Sequence, residues 1–334
     1  MIRRALAAFI LTISLIGTAA AQESVTVGTT RDVNNGALFL AAARGYFKAE
    51  GLTLSMRAYP NAQNVAEALA GGATDLGLAA FSAAAFDLAG RGAIKAIAAQ
   101  VSEKREREGN AIVASIPAFN HGLHKFANLA GKVAAISEFG SVYHYQFGRI
   151  AEHERFSLGS MALKPLRTAD AMAQAVASGK VDAAILPLLY ARDMLLAGQA
   201  RMIGVYSSID EQQLGALFAS AKTLQNRRAM LEKFVRAYRR GVADYTAAFL
   251  HYEHYKRVLN EKSPEAGAAI AGYVFPGRSG KKAGLVVANA SYYMDAQARL
   301  NTADIARQIA WYKAQGLIGK DADAANAVDL SFVK

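Results

Sequence analysis

Arg31 is the residue of this sequence best suited to binding a charged small molecule. It lies in the segment Thr29–Gly36, between a strand-like apolar run and a helix-like one. A guanidinium can donate two parallel hydrogen bonds to a carboxylate or sulfonate, although Arg31 could instead pair with Asp32 in solvent. The amides Asn34 and Asn35 follow, suited either to contact a ligand or to cap the helix. This segment is the first predicted binding segment.

Two further helix starts carry small polar residues that could hold a ligand oxygen. Phe81 and Ser82 follow an apolar run, and Ser82 fits a helix N-cap that can share its opening with a ligand. Later in the chain, Gly140 and Ser141 open another helix, whose free backbone N–H groups favour an anion. We therefore predict these four residues as ligand contacts.

Aromatic residues accompany both of these helix starts. Tyr143, His144 and Tyr145 follow Ser141, and a helix cannot direct all three to one side. We predict Tyr143 and His144 as ligand contacts, with a solvent-facing His144 as the alternative. Tyr190 follows another apolar run and is predicted as a wall of the site. Phe81, Phe139, Tyr143 and Tyr190 together favour a ligand with an apolar or aromatic body.

The sequence lacks the residues or spacings needed for disulfides, for nucleophilic catalysis and for the common metal sites. The chain has no cysteine, which excludes disulfides, a thiol nucleophile and a cysteine-ligated metal. His251–His254 reads H-x-E-H, which matches no zinc-protease spacing, and His121 with His124 is likewise read as a surface pair. No G-x-S-x-G elbow is present. The charge-balanced run Glu103–Glu108 is interpreted as a solvated turn. We predict no cofactor, no metal and no catalysis.

The candidate residues are positioned by alternating strands and helices, which indicates parallel sheets covered by helices. The first half predicts strands at Ser24–Thr29, Leu52–Tyr59, Leu76–Phe81 and Ile94–Gln100, with helices at Gly36–Ala49, Gln63–Ala70 and Ser82–Ala89. The second predicts strands at Lys132–Ser137, Ala162–Leu166, Val181–Pro187 and Met202–Tyr206, with helices at Ser141–Glu154, Ala169–Ser178 and Leu189–Leu196.

The remaining chain predicts a strand-like run at Gly215–Ser220, a long amphipathic helix at Thr223–Phe249 and another helix at Thr302–Gln315. We expect these C-terminal helices to pack on the first lobe. The chain would then cross between lobes twice, near Asn110–Ala118 and near Ser207–Phe218, and two crossings make a hinge.

The two halves also repeat a motif. Ala68–Leu78 and Ala175–Ile185 both read A-φ-A-small-G-x-x-D followed by an apolar run, and Gly72 and Gly179 occupy the same place in it. The separation of these two glycines is far too long for a solenoid repeat and indicates two similar lobes.

Four short motifs, in order, resemble a known family. Gly45–Leu52 is similar to GYFxxEGL, Ala70–Gly77 to ALASGxxDxG and Leu129–Ala134 to LKGKxVAV, and Phe139–Ser141 matches a small-residue turn. From about Val25 to Gly204 the chain resembles periplasmic substrate-binding proteins for nitrate, sulfonates, taurine and thiamine precursors, the NMT1/THI5-like receptors of ABC transporters. Gly45–Leu52 itself reads as structural, with Tyr46 and Phe47 as core anchors.

The resemblance implies the type II periplasmic-binding fold. This is a two-lobed α/β fold with two mixed, mostly parallel sheets, helices on both faces and a double-crossover hinge. It also implies an inner-membrane ABC permease as partner. The THI5-type enzymes of this fold carry a Cys-rich catalytic segment that is missing here.

The N-terminus predicts export. A basic start at 1–4, an apolar run at 5–16 and an A-x-A site before Gln22 form a secretory signal peptide. The composition, 53% hydrophobic and 19% charged with a net charge of +11, excludes a disordered chain. Export argues against nucleic acid as a partner, and without cysteine the product cannot be a lipoprotein, which favours a free monomer in the periplasm.

These inferences predict a signal peptide at 1–21, a discontinuous first lobe at 22–112 and 218–334, and a second lobe at 113–217. The predicted function is a periplasmic receptor that captures a small organic anion between the lobes and delivers it to the permease. A periplasmic ligand sensor and, more remotely, an exported enzyme on the same scaffold are the alternatives.

Overall fold

The computed structural model describes residues 22–333 except 255, 276, 278 and 279. The predicted signal peptide lies outside these described residues. The strands are β1 Glu23–Thr29, β2 Leu52–Ala58, β3 Leu76–Ala80, β4 Ile94–Ala99, β5 Val101–Glu103, β6 Ala111–Ser115, β7 Val133–Ile136, β8 Ala162–Pro165, β9 Ala183–Leu186, β10 Ala200–Val205, β11 Gln212–Gln213, β12 Gly215–Ser220, β13 Tyr252–Glu253, β14 Lys256–Arg257 and β15 Tyr293–Met294.

The helices surround these strands. They are α1 Gly36–Ala43, α2 Tyr46–Ala49, α3 Ala62–Ala70, α4 Ala83–Gly90, α5 Ile116–Asn120, α6 Val142–Glu154, α7 Ala169–Ala177, α8 Leu188–Leu196, α9 Ala221–Asn226, α10 Arg228–Phe249, α11 Ser263–Val274, α12 Gly280–Asn289, α13 Thr302–Ala314 and α14 Ala324–Ala327. Among the described residues, no helix combines the length and apolarity needed to cross a membrane.

Two five-stranded sheets form the centres of two lobes. The first sheet has the order β2-β1-β3-β12-β4, and the second has the order β8-β7-β9-β6-β10. In each sheet, one antiparallel strand lies among strands that run the same way, namely β12 in the first sheet and β6 in the second. The predicted two-lobed α/β fold with mixed, mostly parallel sheets is confirmed.

The repeated motif has the same role in both lobes. Gly72 and Gly179 end α3 and α7 with φ of 76° and 69°, a conformation that favours glycine. Asp75 accepts a hydrogen bond from the backbone N–H of Thr26 at 2.8 Å, and Asp182 accepts one from Val133 at 2.8 Å. Each aspartate therefore ties the strand that follows it, β3 or β9, to a parallel neighbour, β1 or β7.

The crossings between the lobes lie side by side. Strand β5 pairs antiparallel with β11, so Glu103 lies opposite Gln212, and β15 pairs with the other edge of β5. The first crossing comes earlier than predicted, because 111–115 already pairs within the second sheet. The predicted lobe boundaries stay a prediction, and we propose shifting them to precede β6 and β12.

The C-terminal helices cover the first sheet, and α10 packs along α1 while α11 packs on α1 and α12. Two predicted helices are interrupted. The helix predicted at Gly36–Ala49 breaks where Gly45 takes φ of 72°, and the one at Thr223–Phe249 breaks at Arg227. Two of the C-terminal helices also reach the second lobe, since α13 contacts both α4 of the first lobe and α6 of the second, and α12 contacts α8.

The predicted solvated turn at Glu103–Glu108 is wrong for its first residue. Glu103 is 1% exposed, and its carboxylate accepts a hydrogen bond from the backbone N–H of Asn110 at 2.8 Å. A Cβ on Gly109 would overlap this carboxylate, so the glycine is what lets the chain close over Glu103. Strand β5 thus carries a buried acid, although the charged residues around it in the sequence predict a solvent-exposed turn.

Candidate ligand cavity between the lobes

A cavity of about 360 Å³ lies where the carboxyl ends of strands from both sheets face each other. The first lobe lines it after β1 with Thr30, Arg31, Asp32 and Asn34, and after β2 with 59–62. The second lobe lines it after β7, at the start of α6, after β8 and with Tyr190 of α8. Open α/β sheets carry their ligand sites at this edge, and the volume suits a small organic molecule.

Three helices begin at the cavity wall. Asn61 caps α3 by accepting from the N–H of Asn64, Ser141 caps α6 by accepting from His144, and Thr168 caps α7 by accepting from Ala171. All three capping residues line the cavity. Helix N-termini carry roughly half a positive charge and unpaired N–H groups. The backbone therefore gives this cavity a positive bias that net charge does not reveal.

Two guanidinium groups face the cavity. Arg31 belongs to the first lobe and Arg167 to the second, and both line it. Within the described part of the chain, neither forms an ion pair, so the pair with Asp32 that was the alternative role of Arg31 is not formed. Arg167 also takes φ of 71°, which is unusual for a residue with a side chain. Both cations are thus available to a ligand.

Three carboxyl groups share the same cavity: Asp32, Glu138 and Asp170. Burial, with a smaller contribution from the charge of Asp170, raises the pKa of Asp32 to about 6, although backbone N–H groups of Val33 and Asn34 oppose the shift. Burial also raises the pKa of Glu138 to about 7, although a hydrogen bond to Ser137 and the charge of Arg167 oppose that shift. The cavity therefore offers both signs of charge.

Tyrosines form the apolar part of the wall, with Tyr59 from the first lobe and Tyr143 and Tyr190 from the second. Burial raises the pKa of Tyr143 well above its ordinary value, and the nearby charge of Asp32 adds to the shift. The hydroxyl of Tyr143 therefore stays protonated and can donate to a ligand, while the three tyrosine rings cover the apolar surface of that ligand.

Half of the predicted contacts line this cavity. They are Arg31, Asn34, Ser141, Tyr143 and Tyr190. The other five do not line it: Asn35, Phe81, Ser82, Gly140 and His144. Phe81 is 1% exposed and stacks on Phe86 at 5.0 Å between ring centroids, so it is a core residue. Asn35 is fully buried, where its amide donates to the backbone oxygen of Thr30.

Ser82, Gly140 and His144 lie where the lobes meet rather than in the cavity. Ser82 caps α4, and the next N–H, that of Ala83, donates to the carbonyl of Gly140 at 2.8 Å. The N–H of Gly140 donates to Nδ1 of His144 at 3.0 Å. His144 is not solvent-facing, and burial lowers its pKa to about 4. The start of α4 therefore faces the Gly140 turn of the second lobe and not the cavity.

Several lining residues escaped the sequence interpretation, chiefly Tyr59, Asn61, Gln100, Glu138, Arg167, Thr168 and Asp170. For some of these residues the sequence does contain a usable pattern. Asn61 and Thr168 each follow a predicted strand and open a predicted helix, which is the pattern that identified Ser141. Gln100 ends the predicted strand Ile94–Gln100, so its position at the carboxyl end of a strand was also a usable signal.

Comparisons with known proteins identify a family and solved structures of similar fold. A model of the NMT1/THI5-like family matches residues 32–248, whereas no curated protein sequence matches. The periplasmic aliphatic sulphonate binding protein SsuA of Escherichia coli superposes with a TM-score of 0.69 at 16% identity, covering 92% of each chain.

Two other solved structures broaden the comparison. The alkanesulfonate-binding protein SsuA from Xanthomonas axonopodis pv. citri, bound to MOPS, gives a TM-score of 0.71 at 18% identity, covering 94% of this chain and 100% of that one. The desulfurization enzyme DszB gives 0.60 at 14% identity, covering 93% and 98%. At such low sequence identities, the TM-scores show that the fold is shared and nothing more.

Proposed function

The chain belongs to the NMT1/THI5-like family, and from that premise we propose that it is a solute-binding receptor. It would hold a small organic anion in the cavity between its lobes. The observation that carries this proposal is the meeting of two unpaired guanidinium groups, Arg31 and Arg167, with three helix N-termini in one cavity. A charge-assisted hydrogen bond from an arginine contributes roughly 1.5–3 kcal/mol, more than one helix end.

The proposal includes delivery of the ligand to an ABC permease from the periplasm, by a monomeric and non-catalytic receptor. The sulfonate-binding names of the two SsuA structures support an anionic ligand. The tyrosine wall supports an aromatic or otherwise apolar body, because burying such a surface favours binding by about 25 cal/mol for each Å².

The test is a thermal-shift screen of aromatic carboxylates and sulfonates against neutral and cationic analogues of the same shape. Specific ligands raise the melting temperature, and calorimetry then gives the affinity. An anion that binds with one-to-one stoichiometry supports the proposal. Tight binding of a purely cationic or neutral compound, with none by any anion, contradicts it.

An enzymatic role is the second candidate, because DszB shows that this fold can carry an enzyme. Mass spectrometry after incubation with the best-binding anion separates the two. Unchanged ligand at many times the protein concentration supports a receptor, whereas turnover supports an enzyme. A periplasmic sensor would bind equally well but would be captured by a membrane sensor protein rather than by a permease.

A further inference from the structure

The cavity wall leaves three oxygen atoms buried without a hydrogen-bond partner in the described part of the chain. They are Oδ1 of Asn34, Oε1 of Gln100 and Oε2 of Glu138. Buried polar atoms are nearly always hydrogen-bonded, so each exception needs an explanation. All three atoms are oxygens, and the residues that carry them, Asn34, Gln100 and Glu138, all belong to the wall of the same cavity. A ligand with hydrogen-bond donors would satisfy them.

The orientation of Gln100 is fixed by a chain of hydrogen bonds rather than chosen freely. Asn35 must direct its amide nitrogen to the backbone oxygen of Thr30, at 2.9 Å, because a carbonyl only accepts. Oδ1 of Asn35 therefore faces Gln100 and accepts from its amide nitrogen at 2.6 Å. Gln100 is 1% exposed as a residue. The second terminal atom of its amide must then be the oxygen. Gln100 thus carries an acceptor that no donor among the described residues reaches.

The charges of the cavity also favour a ligand that carries hydrogen-bond donors. Three carboxyl groups, Asp32, Glu138 and Asp170, outnumber the two guanidinium groups. An anion alone would add negative charge to a cavity in which the carboxyl groups already repel one another, as Asp170 does Asp32. A group that is positively charged and donates hydrogen bonds would offset that repulsion and satisfy the open acceptors.

We infer that the ligand carries, beside its anionic group, a positively charged nitrogen with several N–H donors. The arginines and helix N-termini hold the anionic end, and Gln100, Glu138 and the neighbouring carboxyl groups accept from the nitrogen. This inference rests on the proposed function, since it names a second group on the same solute. The cavity of about 360 Å³ has room for a short spacer between the two ends.

Matched probes test the inference. The first set is para-(aminomethyl)benzoate, para-methylbenzoate, which lacks the nitrogen, and the trimethylammonium analogue, which keeps the charge but has no N–H. The second set is δ-aminovalerate and valerate. Calorimetry should show at least tenfold tighter binding of each amine than of its amine-free partner and of the trimethylammonium analogue.

A variant assigns the effect to the cavity. Glu138→Gln keeps the shape of the side chain, removes its charge and should weaken the amines at least tenfold, while para-methylbenzoate and valerate bind unchanged or more tightly. Glu154→Gln, a substitution at the end of α6 and outside the cavity, should change none of these affinities. Circular dichroism of both variants checks that the fold is intact.

The outcomes separate this inference from the proposed function. Equal or tighter binding of the amine-free probes leaves an anion receptor standing and overturns the second group. Equal binding of the trimethylammonium analogue also overturns it, because charge would then suffice without donors. Unchanged amine affinity in Glu138→Gln overturns the assigned site. If no member of either set binds, this inference fails, whereas the receptor proposal is decided by its own thermal-shift screen.

Discussion

The two lobes repeat each other at a constant offset in the sequence, but they repeat only the residues that build the sheets. Gly72 and Gly179 take the same left-handed conformation, and Asp75 and Asp182 accept the same strand N–H. Any substitution at these four positions would disturb a turn or a strand contact. The repeat is preserved where the backbone requires a particular residue type.

Some cavity residues differ at the offset that relates Gly72 to Gly179, although the caps Asn61 and Thr168 are equivalent. Arg31 follows the first strand of its lobe, and its counterpart in the second lobe is Glu138, of opposite charge. Pro60 precedes the cap of α3, and its counterpart before the cap of α7 is Arg167. The two lobes therefore present different chemistry from equivalent positions, which allows one cavity to orient a ligand with two unlike ends.

The crossings extend the comparison. Glu103 and Asp210 are related by the same offset and follow the last strand of each lobe. Asp210 is paired with Arg149 at 3.0 Å and with Arg307 at 2.8 Å, whereas Glu103 is buried with no cation beside it in the described residues. Burial raises the pKa of Glu103 to about 8. Equivalent acids thus have opposite electrostatic surroundings.

The largest effect we expect separates these two acids. The pKa of Glu103 is about 8 in the folded protein against an ordinary 4.5. Its stabilising neutral form is therefore lost as pH rises from 4.5 to 8, costing roughly 5 kcal/mol of unfolding free energy. Glu103→Gln should remove most of that decline in urea unfolding followed across this pH range.

Asp210→Asn provides the contrast. It breaks two ion pairs and should lower the unfolding free energy by about 1–3 kcal/mol at neutral pH. If both substitutions change stability with the same sign at pH 8, the assigned difference between the two crossings is incorrect.

The next effect concerns closure of the lobes. Gly140 takes φ of 81°, and a Cβ there would lie 2.6 Å from Cβ of Ala83 in the other lobe. Its counterpart in the first lobe is Val33, so this glycine belongs to the contact and not to the repeat. Gly140→Ala should weaken ligand binding by about 30-fold or more, since the overlap and a left-handed alanine each oppose the closed form.

Calorimetry measures that affinity, and small-angle scattering measures compaction with ligand. Gly159→Ala is the control, because its added Cβ meets only Ser157 Oγ at 3.5 Å. Normal affinity and normal compaction in Gly140→Ala would show that this contact has no role in closure.

A difference of about 1 kcal/mol is expected between the two repeated aspartates. Asp75→Ala loses the bond from Thr26 and an ion pair with Arg227 at 2.7 Å, whereas Asp182→Ala loses only the bond from Val133. We expect about 3 kcal/mol of lost stability for the first and about 2 for the second. Urea midpoints give both values, and a larger loss for Asp182→Ala would contradict this ranking.

An effect of similar size tests the cationic contributions of the two lobes. Arg31→Ala and Arg167→Ala should each lower affinity for the best anion at least tenfold, which corresponds to only about 1.4 kcal/mol. Arg201→Ala, at a residue outside the cavity, should leave calorimetric affinity unchanged. An unchanged affinity in Arg31→Ala would remove that residue from the site.

Much of the fold could be read from the sequence because its signals are local. The strands and helices predicted between residues 24 and 206 are present, with the first helix divided at Gly45, since apolar runs, caps and glycine turns act over a few residues. Strand β6 was not predicted, because its apolar run lies in the segment predicted to cross between the lobes. Helices α11 and α12 were not predicted.

The candidate site was only partly readable, for a physical reason. Arg31, Asn34, Ser141, Tyr143 and Tyr190 were found because residues after parallel strands collect at one sheet edge. The same rule selected Ser82 and Gly140, which the meeting of the lobes places against each other instead. Which edge residues face a cavity depends on how two sheets approach, and no local pattern records that.

By itself the sequence determined the two-lobed α/β fold, the repeat that relates the lobes and the chain that crosses between them twice. These features follow from short-range preferences and from a motif that recurs with its structural residues intact. Only the tertiary structure decided that Glu103 is buried, that Gln100 presents a free acceptor, and that Glu138 shares a cavity with Arg31. Burial and charge proximity arise between segments remote in sequence, so they exist only once both sheets are packed.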